Sequence, residues 1–146
     1  MPTLIDTNVL LRSVQPSHSM HAVALAALEN LMKKEEPLVI TIQNVAEFWN
    51  VATRPENNNG LGFTIEETQM SVARLESFFQ ILGEDVTSYA TWKTMLTNRR
   101  ITGAQVPDAR LAAVMKVHGI GRIVTFNISD FARFPEIEVV HPSEIN

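Results

Sequence analysis

Four acidic positions of this chain lie where an apolar run gives way to a helical pattern. They are Asp6, Glu47, Asp108 and a fourth position shared by Asn127 and Asp130. In a chain that alternates strands and helices, such positions collect at the carboxyl ends of parallel strands, where crevices for ligands form. We therefore predict that they form one carboxylate cluster, and that this cluster binds a divalent metal ion.

The chemistry of such a cluster follows from its charge. Three or four carboxylates in one place repel one another and raise one another's pKa values unless a cation is present. Mg²⁺ and Mn²⁺ are hard cations that prefer oxygen ligands and retain several waters. Such an ion lowers the pKa of a bound water, polarises a phosphoryl oxygen and stabilises the leaving oxygen. The pattern therefore favours metal-dependent hydrolysis of a phosphodiester.

Each of these residues also has a structural explanation when it is taken alone. Asp6 can cap a helix that leaves a strand, and Asp108 gains about 0.3–1 kcal/mol from the dipole of the helix it begins. Asn127 and Asp130 can satisfy the turn that follows a buried strand. For Glu47, the deciding question is whether its helix directs it into solvent or along the strand ends. The prediction of a site depends on the convergence of all four positions.

The composition is that of an ordinary globular protein. The chain has 146 residues, 45% hydrophobic and 19% charged, which suits a single domain over residues 1–146. It has no cysteine, which excludes disulfides and thiolate zinc sites. Its net charge of −4 argues against a protein that coats nucleic acid, but a nuclease can be acidic if metal neutralises its carboxylates. Because it shows neither a membrane span nor a secretion signal, we expect a cytoplasmic protein.

Apolar, β-branched runs predict the strands that position these residues. The predicted strands span residues 2–5, 37–42, 122–126 and 138–140, with a short edge strand at 84–87. Because helical patterns alternate with these runs, we expect right-handed crossovers and a mostly parallel sheet covered on both faces. The predicted fold is a three-layer α/β/α domain.

Apolar residues at helical spacing predict the helices. They span residues 17–34, 45–54, 64–82, 88–97 and 107–118, with a turn or short helix at 127–131. Thr64 and Glu67 have the spacing of a capping box, and Gly119 is a helix stop. Residues 6–8 are typical of caps and turns, and residues 56–62 and 98–105 of polar loops.

The chain resembles PIN-domain proteins of the VapC-like toxin type, in four segments that follow the family's order. The segments are LIDTNVLL (4–11), NVAEFWNVATRP (44–55), DARLAA (108–113) and IVTFN with the following Asp130 and Phe131 (123–131). The resemblance implies an α/β/α fold and a Mg²⁺- or Mn²⁺-dependent ribonuclease. It also implies RNA as substrate, a homodimer, and often a small antitoxin partner that plugs the site.

The resemblance also suggests roles for individual residues. Asp6 and Asp108 would bind the metal directly, and Glu47 would ligate through water or act as the base. At the fourth acidic position of the family this chain has Asn127, which can ligate through its carbonyl but brings no charge, with Asp130 three residues later. Thr7, Asn8 and Thr125 would orient the carboxylates or contact phosphate. The candidates for steering the RNA backbone are Arg12, Arg99, Arg100 and Arg110.

Other functions fit the sequence less well. A haloacid-dehalogenase-like phosphatase needs a second Asp two residues after the first, where this chain has Asn8, and a receiver domain needs an Asp that residues 41–43 do not offer. The four histidines are interpreted as surface or terminal residues. A PIN-like module without useful catalysis, acting as a binding partner in a regulatory complex, stays open because of Asn127. Metal-dependent turnover would exclude it.

Overall fold

A five-stranded, entirely parallel sheet lies at the centre of the structure. The computed structural model describes residues 1–146. The strands are β1 (Thr3–Ile5), β2 (Leu38–Thr41), β3 (Gln80–Leu82), β4 (Arg122–Val124) and β5 (Glu138–Val140). They lie in the order β3-β2-β1-β4-β5, so the direction of winding reverses between β1 and β4. This reversal places a crevice at the carboxyl ends of those two strands.

Six helices cover the sheet. They are α1 (Thr7–Ser13), α2 (His21–Lys33), α3 (Ile42–Thr53), α4 (Ile65–Phe78), α5 (Val86–Asn98) and α6 (Gln105–His118). Short 3₁₀ turns occupy Glu56–Asn58, Ile128–Phe131 and Pro142–Glu144. None of the helices combines the length and the apolar character that crossing a membrane would require.

The sheet separates two hydrophobic cores. Helices α1 to α4 pack against one face with Ile5 and Val124, whereas α5 and α6 pack against the other face with Leu4 and Ile123. Successive side chains of a strand point to opposite faces, which is why adjacent residues belong to different cores. The predicted three-layer α/β/α fold is confirmed.

The third strand lies where the sequence predicted a helix. Helix α4 ends at Phe78 instead of residue 82, and the strand follows at Gln80–Leu82. The strand predicted at 84–87 is wrong, since α5 begins at Val86. Pairing of Ile81 with Ile40 of β2 overrides the local helical pattern, because strand formation depends on such distant neighbours.

Two helix starts also differ from the sequence prediction. Residues 6–8 do not form only a turn, because Asp6 caps the short helix α1. Helix α3 begins at Ile42, not at residue 45. Its capping box is made by Thr41 and Asn44, each side chain bonding the other's backbone N–H.

Gly60 allows the chain to fold back closely on the end of α3. A Cβ added at this position would overlap the Arg54 carbonyl group, whereas nothing lies within 4 Å of a Cβ added at Gly83. We expect Gly60→Ala to lower the free energy of unfolding by about 2–3 kcal/mol, because the backbone must move. Gly83→Ala, the control, should change it by less than about 0.5 kcal/mol. Urea unfolding measures both, and equal losses would contradict this account.

Candidate active site

Asp6 lies at the carboxyl end of β1, where it begins α1. Its Oδ1 accepts a hydrogen bond from the backbone N–H of Thr7 (2.8 Å), and its Oδ2 accepts one from the Thr125 hydroxyl (2.7 Å). Thr125 directly follows β4, the strand paired with β1. The carboxylate is therefore held from both strands at the point where the winding of the sheet reverses.

Asn8 strengthens the same connection. Its Nδ2 lies 3.4 Å from Oδ2 of Asp6 and 3.2 Å from Oγ1 of Thr125, and donates to both. Its Oδ1 accepts a hydrogen bond from the backbone N–H of Phe126 (3.2 Å). Because both polar atoms of Asn8 are engaged within the protein, its contacts account for the predicted role of orienting Asp6.

Glu47 lies in the second turn of α3 and is connected to α1 through Thr7. The Thr7 hydroxyl donates to Oε1 of Glu47 (3.4 Å) and accepts from Nδ2 of Asn44 (3.0 Å). Asn44 is fully buried, so its amide fixes the Thr7 hydroxyl in place. Sequence reasoning did not identify Asn44. The Thr41-x-x-Asn44 spacing of a capping box could have indicated it.

Asp108 lies in the first turn of α6, on the other face of the sheet. The buried residues Ala109 and Ala113 bring this helix close to the strands, as the sequence predicted. Gln43 of α3 reaches across and donates from Nε2 to the carbonyl of Pro107 (2.9 Å). The amide of one helix therefore contacts the residue that precedes Asp108 in the other.

Electrostatic coupling indicates that the four carboxylates share one site. Burial, followed by the charge of Asp130, raises the pKa of Asp108 from 3.8 to about 6. Asp6 and Glu47 add smaller contributions in the same direction. Burial also raises the pKa of Asp6 against the opposing hydrogen bond from Thr125, and desolvation and the charge of Asp6 raise the pKa of Glu47. Such repulsion requires short distances between the charges.

The fourth acidic position is divided between two residues. Asp130 supplies the charge, since it raises the pKa values of both Asp6 and Asp108. Asn127 is exposed, and its backbone N–H donates to Oγ1 of Thr125 (3.0 Å). The side chain of Asn127 adds no charge to the cluster.

The predicted basic residues are dispersed. Arg110 is the one of the four whose charge lowers the pKa of a site carboxylate, that of Glu47. Arg99 pairs with Glu136 (2.8 Å) beside the turn that enters β4, at the amino end of that strand. The other two are Arg12, bonded to the side-chain oxygen of Gln15, and Arg100, which is exposed. None of the histidines affects the pKa values of the site carboxylates.

The donor set suits a hard divalent cation. Arg110 cannot neutralise the cluster fully, because Glu84 holds its guanidinium with two hydrogen bonds of 2.6 and 2.8 Å. The excess negative charge and the carboxylate oxygens are what Mg²⁺ or Mn²⁺ requires. No group of three or more Asp, Glu or His side chains is arranged so that it could hold a metal ion. Mg²⁺ fits this arrangement, since it is commonly held by one or two carboxylates and several waters.

Comparisons with known proteins place the chain in a family. Residues 3–137 match the family model described as PIN domain. The structure is similar to a toxin–antitoxin complex from Klebsiella pneumoniae, at 24% identity and TM-score 0.66, covering 98% of this chain and 99% of that chain. It is also similar to VapBC2 from Rickettsia felis bound to a DNA fragment from their promoter, at 18% identity and TM-score 0.67, covering 97% and 98%.

A third similar structure is VapC20 from Mycobacterium tuberculosis, described as a sarcin–ricin loop cleaving toxin. It shares 16% identity at TM-score 0.58, over 83% of this chain and 86% of that chain. A comparison with curated proteins found no match. At these identities, the similarity to solved structures establishes a common fold. Because the family model spans nearly the whole chain, this protein belongs to the PIN-domain family.

Proposed function

We propose that this protein is a metal-dependent ribonuclease and the toxin of a toxin–antitoxin pair. The observation that carries the proposal is the mutual repulsion of Asp6, Glu47, Asp108 and Asp130 at one edge of the sheet. Membership of the PIN-domain family supports nuclease chemistry. The similar structures described as toxins and toxin–antitoxin complexes support the biological role.

The carboxylates would divide the work of hydrolysis. A Mg²⁺ or Mn²⁺ ion, when bound, supplies an activated water and stabilises charge on the leaving oxygen. Asp6 and Asp108 would hold that ion, one from each face of the sheet. Glu47 would contact it through water or take the proton of the attacking water. The raised pKa of Glu47 suits a proton acceptor near neutral pH.

The hydroxyl groups around the cluster would keep the carboxylates oriented. Thr125 donates to Asp6 and Thr7 donates to Glu47, so each carboxylate has a fixed neighbour. Metal-bound carboxylates depend on such outer contacts for both affinity and orientation. We propose that Thr7, Asn8 and Thr125 act mainly in this way, because their contacts lie within the protein.

RNA is the proposed substrate. The chain has a net charge of −4, and Arg110 is engaged by Glu84. Attraction of a phosphate to the cluster would therefore depend on the metal more than on local arginines. Arg12 and Arg100 are the candidates for more distant contacts with the backbone.

An apolar groove between α2 and α4 supports a protein partner. Its volume is about 280 Å³, and residues that line it include Leu25, Leu28, Met32, Leu75 and Phe78. The Phe78 side chain is 55% exposed, which is costly unless another apolar surface covers it. We propose that an amphipathic segment of a small antitoxin occupies this groove.

A homodimer is also proposed. The edge of the sheet at β3 leaves Ile81 37% exposed, and the adjoining start of α5 leaves Val86 and Tyr89 83% and 57% exposed. An edge strand flanked by apolar side chains is prone to association. Light scattering coupled to size exclusion measures the mass in solution.

The first prediction of this proposal concerns catalysis. We expect the purified protein to cleave end-labelled single-stranded RNA with Mn²⁺ and not with EDTA. Asp108→Asn should reduce the rate at least about 100-fold, since a metal ligand is lost. Glu29→Gln, an exposed carboxylate on α2, should leave the rate unchanged.

Two results would count against the nuclease. One is cleavage that persists in EDTA or in Asp108→Asn, which would indicate a contaminant. The other is the absence of cleavage across varied RNA substrates while the protein binds a partner protein tightly. That outcome favours the alternative of a PIN-like binding module.

The second prediction concerns pH. Between 3.8 and about 6, the unfolded chain has lost the Asp108 proton while the folded chain retains it, so rising pH lowers the free energy of unfolding. Relative to Asp108→Asn, we expect wild type to lose about 1–2 kcal/mol from about pH 4 to about pH 7. This is less than the full shift because Asp108 is partly exposed.

Thermal unfolding at both pH values, with and without Mn²⁺, measures the effect. Mn²⁺ should raise the Tm of wild type at pH 7, because an ion that binds the folded state stabilises it. It should have little effect on Asp108→Asn. A wild-type stability that follows the variant's at both pH values would contradict the repulsion.

The third prediction concerns toxicity. Induced expression of the wild-type chain in a bacterial host should arrest growth, because an unrestrained ribonuclease degrades RNA needed for translation. Asp108→Asn, expressed to the same level, should allow normal growth. Growth curves with immunoblots measure both, and arrest by the inactive variant would exclude cleavage as the cause.

A further inference from the structure

Gln43 connects the two layers of helices beside the candidate site. It belongs to the first turn of α3, which packs in one core, and it contacts α6, which packs in the other. Its Nε2 donates to the carbonyl of Pro107 (2.9 Å), the residue before Asp108. In the opposite direction along α3, Gln43 lies one turn before Glu47 and its amide favours the ionised form of that carboxylate.

The side chain of Gln43 is unusual for its surroundings. Only 6% of the residue is exposed, and its Oε1 is buried with no hydrogen-bond partner. An unpaired buried acceptor destabilises the folded state, and such groups call for an explanation other than stability. An apolar side chain of the same length would fill the space without this cost. The position therefore uses a residue that is less favourable for folding.

The carbonyl of Pro107 does not need this contact either. It lies within α6, where the helical backbone provides it with a donor. The additional bond from Gln43 instead constrains the distance between the start of α6 and the start of α3. Those two starts carry Asp108 and Glu47, whose charges repel each other.

We infer that Gln43 is a positioning residue, which holds Asp108 and Glu47 at the separation that metal binding requires. The inference rests on the proposed function, since it names how that site is kept in register across the sheet. Gln43 acts through Pro107 and does not itself contact substrate. The repulsion between the carboxylates would widen the site without this connection.

The test compares Mn²⁺ affinity with stability. In Gln43→Met the side chain keeps its length and loses its donors. We expect Mn²⁺ binding, followed by electron paramagnetic resonance, to weaken about tenfold or more. We expect Tm without metal to stay the same or to rise, because the unpaired acceptor is also removed. With RNA, kcat should fall while KM stays the same, since no substrate contact is lost.

Two further variants separate positioning from general fastening. Gln105→Met is the matched control, because Gln105 also lies at the start of α6 but bonds to Arg133 instead of α3. Its Mn²⁺ affinity should equal that of wild type. Gln43→Asn retains the amide but is one methylene too short to reach Pro107, so it should lose Mn²⁺ affinity as Gln43→Met does. It also serves if the methionine variant does not fold.

Each outcome has a distinct meaning. Wild-type Mn²⁺ affinity in Gln43→Met or in Gln43→Asn would overturn the inference, and so would an equal loss in Gln105→Met. If wild type binds Mn²⁺ and Gln43→Met binds it more weakly, but RNA is not cleaved, the inference stands and the ribonuclease is overturned. A wild-type protein that binds no Mn²⁺ overturns both.

Discussion

Repulsion between carboxylates is the constraint on which the rest of this structure depends. Asp6, Glu47, Asp108 and Asp130 raise one another's pKa values, so the folded chain holds charges where they are unfavourable without a cation. The packing of two hydrophobic cores on the sheet forces these residues together. Stability supplied by the cores therefore maintains an unfavourable cluster, as is common at functional sites.

The contacts around the cluster show how that arrangement is maintained. Short side chains at the strand ends, those of Thr7 and Thr125, hold Glu47 and Asp6 by single hydrogen bonds. The buried amide of Asn44 fixes one of these hydroxyls in turn. Orientation thus comes from residues on the sheet edge and in helix caps, which are more rigid than loops.

The sequence predicts the elements whose patterns are local. The apolar runs of β1, β2, β4 and β5 and the helical spacing in α2 and α6 are strong enough to place these elements, and with them Asp6 and Asp108. Strand β3 was not predicted, because Gln80–Leu82 continues the pattern of α4 and becomes a strand only through pairing with β2. Asn44 and Gln43 were missed for the same reason. Their roles depend on partners at Thr7 and Pro107, which are distant in sequence.

The parallel order of the strands has a consequence for the synthesis of this protein. The site begins with Asp6 and is completed by Asp108, Thr125 and Asp130, and β4 must insert beside β1, the first strand to be translated. A nascent chain whose last quarter has not left the ribosome therefore lacks half of the cluster. A toxin built in this order would stay harmless to the ribosome that makes it until translation is nearly complete.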